Sequence, residues 1–277
     1  MNLKKIPLWI VANPLTCVVI VLVITVFFAL QIPRLEIDSS SEGLMVENDP
    51  ARLYYEDIKK KFGSDNLTVI MIKAQDVFTT ETLETIQRLS HTLQATPGVS
   101  RVESLTTVNN IKGEGEFLNT DPLVGAEIPK EKEKIQKIRS DALQNRIFVG
   151  NIVSKDGNVA AINAYTEAKA GDKAFNPTFT KLVDSLIEKE KREGVEIYQI
   201  GTPLTKVTLG EYIQGDMVGL VPLAIGFLFL VLFLTFRTFQ GVAIPMATGL
   251  VSIIWVLGEM VLIGYPMNVI TAIIPAL

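Results

Sequence analysis

The stretch that decides the fold is residues 14–33, PLTCVVIVLVITVFFALQIP, which carries no charged side chain. The hydrocarbon core of a bilayer is crossed by about 20 apolar residues in a helix. Asn13 and Pro14 suit a helix start, because asparagine is a common N-cap and proline fits the first turn. A cleaved signal peptide is the alternative, but residues 32–38 contain no small-x-small cleavage site. We therefore predict an uncleaved transmembrane helix over residues 13–33.

The remaining sequence divides into apolar and charged parts. The chain has 277 residues, 48% hydrophobic, with a mean hydropathy of +0.32. The apolar excess lies in residues 7–32 and 217–277, and nearly all charged residues lie between Arg34 and Glu211. Acidic and basic residues are interspersed there, and the net charge is −4. A nucleic-acid-binding protein would carry a basic stripe, so nucleic acid is excluded as a partner.

The second apolar block predicts further spans. We expect transmembrane helices over residues 216–236 and 242–263, joined by a loop at 237–241. A tight turn over residues 264–268 then leads into a fourth apolar run, 269–277, which is too short to cross a bilayer. We therefore expect the natural protein to continue and read the chain as a fragment.

The basic residues near the spans predict the orientation. Lys4 and Lys5 precede the first helix, which places residues 1–12 in the cytoplasm by the positive-inside rule. Arg237 then puts the 237–241 loop in the cytoplasm and the 264–268 turn outside. The intervening residues 34–215 become an extracytoplasmic domain. The expected location is the plasma (inner) membrane, with several passes.

The first part of residues 34–215 predicts a βαβ unit. Residues 67–73 are apolar and β-branched, as in a buried strand. Thr79 or Thr80 can cap a helix whose apolar side chains repeat at helical spacing: Leu83, Ile86, Leu89 or Ser90, and Leu93. Pro97-Gly98 ends that helix, and residues 99–105 predict a second strand. A polar insert, residues 106–146, follows and holds a charged helix over 130–146.

A second unit of the same kind follows the insert. Residues 147–153 and 159–166 read as a hairpin around a glycine turn. Asn176-Pro177 opens a helix, and residues 195–201 form the last strand. This order suits a ferredoxin-like split βαβ. The predicted fold class is a membrane α-helical bundle plus an α+β extracytoplasmic domain.

Catalytic chemistry has little support in the sequence. Cys17 and His91 are each the only residue of their type, so neither a disulfide nor a cysteine-based zinc site can form. Gly113-x-Gly115 lies in a loop without a following helix and is read as a turn. Glu56 and Asp57 are adjacent and are read as solvent-exposed. No catalytic residue, cofactor or metal is expected, and the protein is not expected to be an enzyme.

The chain resembles the first half of a resistance-nodulation-division (RND) superfamily exporter, closest to the MMPL and Patched-like branch. The segments that carry the resemblance are PRLEID (33–38), FG (62–63), FTTETL (78–83), PGVSRVESL (97–105), SKDG (154–157), GTP (201–203), FR (236–237) and GYPMN (264–268). Their order within a span, domain, span arrangement is the specific part of the match. Residues 34–215 then correspond to the family's porter domain.

The resemblance implies a function. The complete protein would contain two such halves and would use the proton gradient to export a hydrophobic or lipid-like molecule. Its partners would be the bilayer, that substrate and the missing C-terminal half, and the oligomeric state, a homo-oligomer included, stays open. The family's proton-relay acids lie on the fourth span, so the resemblance assigns them to no residue of this chain.

Glu259 is the candidate functional residue. It is the one ionisable residue inside a predicted span, where burial of a charge is costly and usually functional. We expect it to protonate during transport or to line the substrate path. The alternative is that it lies near the surface and snorkels or bonds to a neighbouring span. Asp216 is read as a helix-start acid, and close helix packing is expected at four glycines: Gly219, Gly226, Gly249 and Gly258.

Two other functions stay open. A membrane-tethered sensor would combine an extracytoplasmic ligand-binding domain with a cytoplasmic output domain after its spans. An accessory factor in protein translocation would share the superfamily architecture. The sequence beyond residue 277 separates the sensor from a transporter, because a transporter repeats the span, porter, span module.

Overall fold

The computed structural model describes residues 11–38, 49–62, 66–114, 117–167, 172 and 174–276. The chain divides into two compact units, one of Met1–Glu47 with Leu209–Leu277 and one of Asn48–Thr208. We call them the membrane unit and the sheet domain. The predictions that rest on Lys4, Lys5, Gly63 and Gly115 lie outside the described residues.

The predicted helices and strands are present except for the strand over residues 147–153, and three elements, over residues 50–62, 112–114 and 117–119, were not predicted. In chain order they are α1 (Pro14–Ala29), α2 (Pro50–Phe62), β1 (Leu67–Lys73), α3 (Thr80–Gln94), β2 (Val99–Glu103), β3 (Lys112–Glu114), β4 (Phe117–Asn119), α4 (Lys132–Gln144), β5 (Val159–Thr166), α5 (Phe175–Glu190), β6 (Glu196–Gly201), α6 (Thr202–Phe236) and α7 (Phe239–Leu262). Short 3-10 turns cover Ile32–Arg34 and Thr271–Ala276.

The sheet domain is built on a four-stranded antiparallel sheet in the order β2-β5-β1-β6. β1 pairs antiparallel with both β5 and β6, and β2 pairs antiparallel with β5. The two strands of each βαβ unit are therefore parallel and have a strand of the other unit between them. This is the split βαβ topology, and the predicted fold class is confirmed.

The core lies between this sheet and the helices α3 and α5. Thr79 caps α3 by accepting a hydrogen bond from the backbone N–H of Thr82 at 3.2 Å, as the sequence predicted. The α3 side chains Leu83, Ile86, Leu89 and Leu93 are buried against the sheet, together with Phe179, Val183 and Ile187 of α5. Burial of these side chains supplies the main stabilisation of the domain.

The predicted strand over residues 147–153 is wrong. This segment forms successive turns and contributes only isolated bridges to its neighbours. The side chain of Asn145 accepts a hydrogen bond from the backbone N–H of Ile147, and Gly150 adopts a φ of +88°, which favours glycine. Phe148, Ile152 and Val153 are nevertheless buried. The apolar pattern reflected burial of a looped segment and not a β-strand.

The insert differs in detail from the prediction. Its charged helix is two residues shorter at each end than expected, and Ala142 takes the buried place predicted for Leu143, which is only partly buried. β3 and β4 form a small hairpin that the sequence pattern missed, and Gly113 lies in its first strand. Arg139 of α4 ties the insert to the domain by an ion pair with Asp76 at 2.5 Å.

Three helices of the described chain are long and apolar enough to span a membrane: α1 with the turn after it, α6 and α7. Asn13 is the N-cap of α1, although its side chain makes no capping hydrogen bond. α6 begins at Thr202, far before the predicted 216–236 span, because Gly201 lets the chain leave β6 directly into a helix. Gly201 has a φ of +131°, and a Cβ there would lie 2.1 Å from the carbonyl oxygen of Leu67.

α1 and α7 pack closely within the membrane unit. A Cβ added at Gly258 would lie 2.6 Å from the Cβ of Phe28 and 2.8 Å from its carbonyl oxygen. One turn along α7, the indole Nε1 of Trp255 donates a hydrogen bond to Thr25 Oγ1 at 2.9 Å. A small residue and an interhelical hydrogen bond are the two devices that hold helices together in lipid, where apolar burial adds little.

We expect Gly258→Ala to destabilise the α1–α7 contact by about 1–3 kcal/mol, because the added methyl group meets backbone and Cβ atoms that cannot turn aside. Thermal unfolding of the purified protein in detergent measures the effect. Gly249→Ala on the same helix is the matched control, since a Cβ there meets no described atom within 4 Å. Equal midpoints for the two variants would contradict the tight contact.

An ion pair joins the two helices of the sheet domain. Arg88 of α3 donates from Nε and Nη2 to the two carboxylate oxygens of Glu190 at the end of α5, at 3.0 and 2.7 Å. Thr85 Oγ1 also donates to Glu190, at 3.2 Å. Hydrogen bonding by Arg88 is the main cause that holds the pKa of Glu190 below its ordinary value. The Glu190 carboxylate is mostly buried, at 18% side-chain exposure.

We expect Glu190→Gln to lower the free energy of unfolding by about 1 kcal/mol at neutral pH. Because the pKa is lower in the folded state, the carboxylate stabilises the fold above its unfolded-state pKa and loses this effect as the pH falls through the folded-state pKa. Denaturant unfolding at neutral and acid pH should therefore show a difference that shrinks in acid. Glu188→Gln is the control, because Glu188 pairs at the surface with Lys191. A difference that persists in acid would rule out the carboxylate as its cause.

Candidate functional site

Glu259 lies in the last turn of α7, beside the contact with α1. Its neighbours Leu257, Gly258 and Met260 are buried, whereas the Glu259 side chain is exposed. In the described part of the chain, no hydrogen bond or ion pair joins its carboxylate to another residue. The packed face of α7 therefore points to α1, and the acid lies on a face that no described element covers.

The turn after α7 is held by backbone hydrogen bonds. Gly264 has a φ of +73°, and the N–H of Tyr265 donates to the carbonyl of Met260 at 2.8 Å. These bonds satisfy carbonyl groups at the helix end, which would otherwise lack partners. The chain turns at Ile263 and Gly264 and returns toward the residues that follow α1.

Met267 joins this turn to the segment that leaves α1. Its N–H donates to the carbonyl of Glu36, and its carbonyl accepts from the N–H of Asp38, both at 2.7 Å. The Met267 side chain is fully buried and packs with Leu257 and Met260. We call this arrangement the 36–267 bridge. It places the two family-like segments PRLEID and GYPMN side by side.

Asn268 begins the final described segment. Its Oδ1 accepts hydrogen bonds from the N–H groups of Ile270 and Thr271, at 3.0 and 2.9 Å. This is the capping arrangement that starts a helical turn, and the Thr271–Ala276 turn follows it. The side chain of Asn268 therefore directs the chain out of the bridge into the fourth apolar run.

Other predicted positions fall outside this region or have simple structural roles. Asp216 is exposed within α6, so its reading as a helix-start acid is wrong, because α6 starts at Thr202. Among the four glycines expected to pack, Gly258 does so, and a Cβ at each of the others would meet no described atom within 4 Å. Cys17 is partly exposed on α1, and His91 is exposed on α3.

The described residues of the sheet domain line at least two surface grooves. The first, about 690 Å³ in volume, lies along the insert and is lined by residues of both charges, including Asp121, Lys130, Lys134 and Asp141. The second, about 710 Å³, lies between β1 and the looped segment 147–153 and is mainly apolar. Within the described residues, no three His, Cys, Asp or Glu side chains come together in a group that could hold a metal ion.

The 36–267 bridge was not predicted from the sequence. Its two segments, PRLEID and GYPMN, were identified separately. Each segment follows directly after a predicted span, and this common position could have indicated that they lie close together. Glu259 was the position that sequence reasoning did identify, from one property: it is an acid within an apolar helix. Its role as a protonatable group stays a prediction.

Comparison with known proteins is consistent with this arrangement. Residues 51–272 match the model of the MMPL family, which covers most of the chain. The chain is also 23% identical over 279 residues to membrane protein MJ1562 of Methanocaldococcus jannaschii, an alignment that covers 98% of this chain and 69% of that relative. The chain is thus an integral membrane protein that belongs to the MMPL family, within the RND superfamily.

Proposed function

We propose that the protein is a proton-driven RND-type transporter that exports a hydrophobic or lipid-like substrate, with this chain as its N-terminal half. The observation that carries the proposal is the match to the MMPL family over residues 51–272. Three apolar helices and a split βαβ domain in one chain are the parts that such a transporter needs. MMPL family transporters are generally not enzymes.

The sheet domain would receive the substrate outside the membrane. The groove between β1 and residues 147–153 is mainly apolar, as suits a lipid-like molecule. The groove along the insert is separate and is lined by acidic and basic side chains. The 36–267 bridge gives a direct mechanical link between the exit of α1 and the turn after α7. A shift of α7 along its axis would pull on the segment that leads from α1.

Glu259 would respond to protons within the membrane unit. A carboxylate is costly in hydrocarbon, and protonation removes its charge and most of that cost. Protonation of Glu259 would therefore allow the face of α7 that carries it to turn toward lipid. Glu259 is next to Gly258, where α7 touches α1. Protonation there would act on the contact between the two helices.

We expect Glu259→Gln to reduce energy-dependent efflux by about tenfold, because the amide cannot gain or lose the proton that changes its preference for lipid. The measurement is efflux, from cells with equal amounts of each variant, of an amphipathic dye whose export depends on the unmodified protein. Glu259→Asp should keep part of the activity, since it keeps the carboxyl group. Ser252→Ala, at an exposed position on the same helix, is the control and should transport normally. Unchanged efflux by Glu259→Gln would remove the residue from the mechanism.

We propose that the N-terminus is cytoplasmic and that residues 34–215 face the outside of the plasma membrane, multi-pass as predicted. An impermeant maleimide tests this in intact cells. With Cys17→Ser as background, Ser185→Cys on the exposed surface of α5 should be labelled without lysis. A cysteine placed at position 237 or 238, between α6 and α7, should react only after lysis. The reverse labelling pattern would contradict the proposed orientation and, with it, the proposed export.

A further inference from the structure

Three buried polar side chains of the sheet domain have no hydrogen-bond partner among the described residues. Thr68 of β1 is fully buried, and Thr180 of α5 is 4% exposed. Gln199 of β6 is partly exposed, but both atoms of its side-chain amide are buried. The two hydroxyl oxygens and the two amide atoms all lack a protein partner. Burial of such groups costs free energy unless something bonds to them.

Other buried hydroxyl groups of the domain are paired. Thr166, at the end of β5, donates to the carbonyl of Asn66 at 3.2 Å, and Ser90 donates to Ser104 at 2.8 Å. Threonine in a helix often donates back to a carbonyl of the preceding turn. Thr180 makes no such bond. A further unpartnered atom, Oδ1 of Asn110, lies apart from these three residues in the insert.

The strand register brings Thr68 and Gln199 to the same face of the sheet. Thr68, Ile70 and Ile72 are the fully buried residues of β1, on the face that packs against the helices. Ile70 lies directly across from Gln199, and Thr68 lies across from Gly201. Opposed residues of an antiparallel pair share a face, so Gln199 is the diagonal neighbour of Thr68, within reach of a long side chain.

The first turns of α5 lie at the same end of the sheet. A Cβ added at Gly98 would lie 2.3 Å from the ring of Phe175, the first residue of α5. Gly98 precedes β2, whose first residue, Val99, pairs with Thr166 at the end of β5. Thr180 is in the second turn of α5. The three unpartnered side chains therefore meet where β1 begins and β6 ends.

The side chains around this point are small. Across β5, β1 and β6 the row that contains Thr68 is completed by Ala164 and Gly201, whereas the next row contains Ile162 and Ile70. Small side chains leave room beneath α5 for a small polar molecule. The amide nitrogen of Gln199 needs an acceptor and its oxygen needs a donor. Water supplies both, whereas a cation or a simple anion supplies one.

We propose that a buried water molecule binds between α5 and the β1–β6 pair, hydrogen-bonded to the hydroxyl groups of Thr68 and Thr180 and to the side-chain amide of Gln199. This water links α5 to the strand that continues directly into α6 at Thr202. The site belongs to the stability of the sheet domain. It does not depend on the proposed export, and each can fail without the other.

A density map of the unmodified full-length protein at about 2 Å resolution tests the site directly. We expect a solvent peak within roughly 3.2 Å of a polar atom of each of the three side chains. The buried hydroxyl of Thr166, which already has a protein acceptor, is the internal control and should show no such peak. A direct hydrogen bond between Gln199 and either hydroxyl group in place of the peak would contradict the proposal.

Removal of one hydroxyl group gives a second measurement. Thr180→Val keeps the shape of the side chain, and loss of the hydrogen bond to water should lower the unfolding midpoint of the purified protein by roughly 2–4 °C. A hydroxyl group buried without any partner would give a rise instead, because valine removes the cost of its burial. Thr178→Val, at an exposed position of the same helix, is the matched control and should shift the midpoint by no more than roughly 1 °C.

A double variant tests whether the two hydroxyl groups share one water molecule. Thr68→Val should also lower the midpoint, and the double variant with Thr180→Val should lose less than the sum of the two single changes, because both act on the same water. Additive changes, a Thr180→Val midpoint equal to or above that of the unmodified protein, or a map without the solvent peak would each overturn the proposal.

Discussion

An unpaired peptide group in hydrocarbon costs several kcal/mol, and this constraint governs the two apolar blocks of the chain. Apolar blocks in lipid must satisfy their backbone internally, so they become helices, and the chain leaves them only where other backbone groups are available. The 36–267 bridge follows directly on the ends of α1 and α7, where the last helical carbonyl groups need partners. Met267 exchanges two hydrogen bonds with the segment after α1, and Tyr265 donates to the end of α7. The N–H of Tyr265 and both backbone groups of Met267 are therefore paired.

The same constraint has a consequence for helix packing. Lipid tails are as apolar as leucine, so α1 and α7 gain little from burying side chains against each other. The stabilisation of this contact comes instead from the close backbone approach at Gly258 and from the hydrogen bond that Trp255 donates to Thr25. In the sheet domain the balance is reversed, because there water drives Ile70, Ile72 and the apolar faces of α3 and α5 together. One polypeptide thus uses two different sources of stability.

Glu259 of α7 and two side chains of β6 are exposed in the described part of the chain. The acid lies on a face of α7 that no described element covers, and Tyr198 and Ile200 lie exposed on a sheet. Both are expensive in isolation, one as a charge in lipid and the other as apolar surface in water.

The sequence by itself determined the membrane helices, the βαβ order and the cap at Thr79, because each follows from local periodicity or from one side chain near one backbone group. It also singled out Glu259, since an acid in an apolar helix stands out without any structure. Only the tertiary structure decided that residues 147–153 are looped, that α6 starts at Thr202, and that Glu36 meets Met267. These features depend on close approach between distant parts of the chain. An apolar pattern reports that a residue is buried, and it does not report which neighbour buries it.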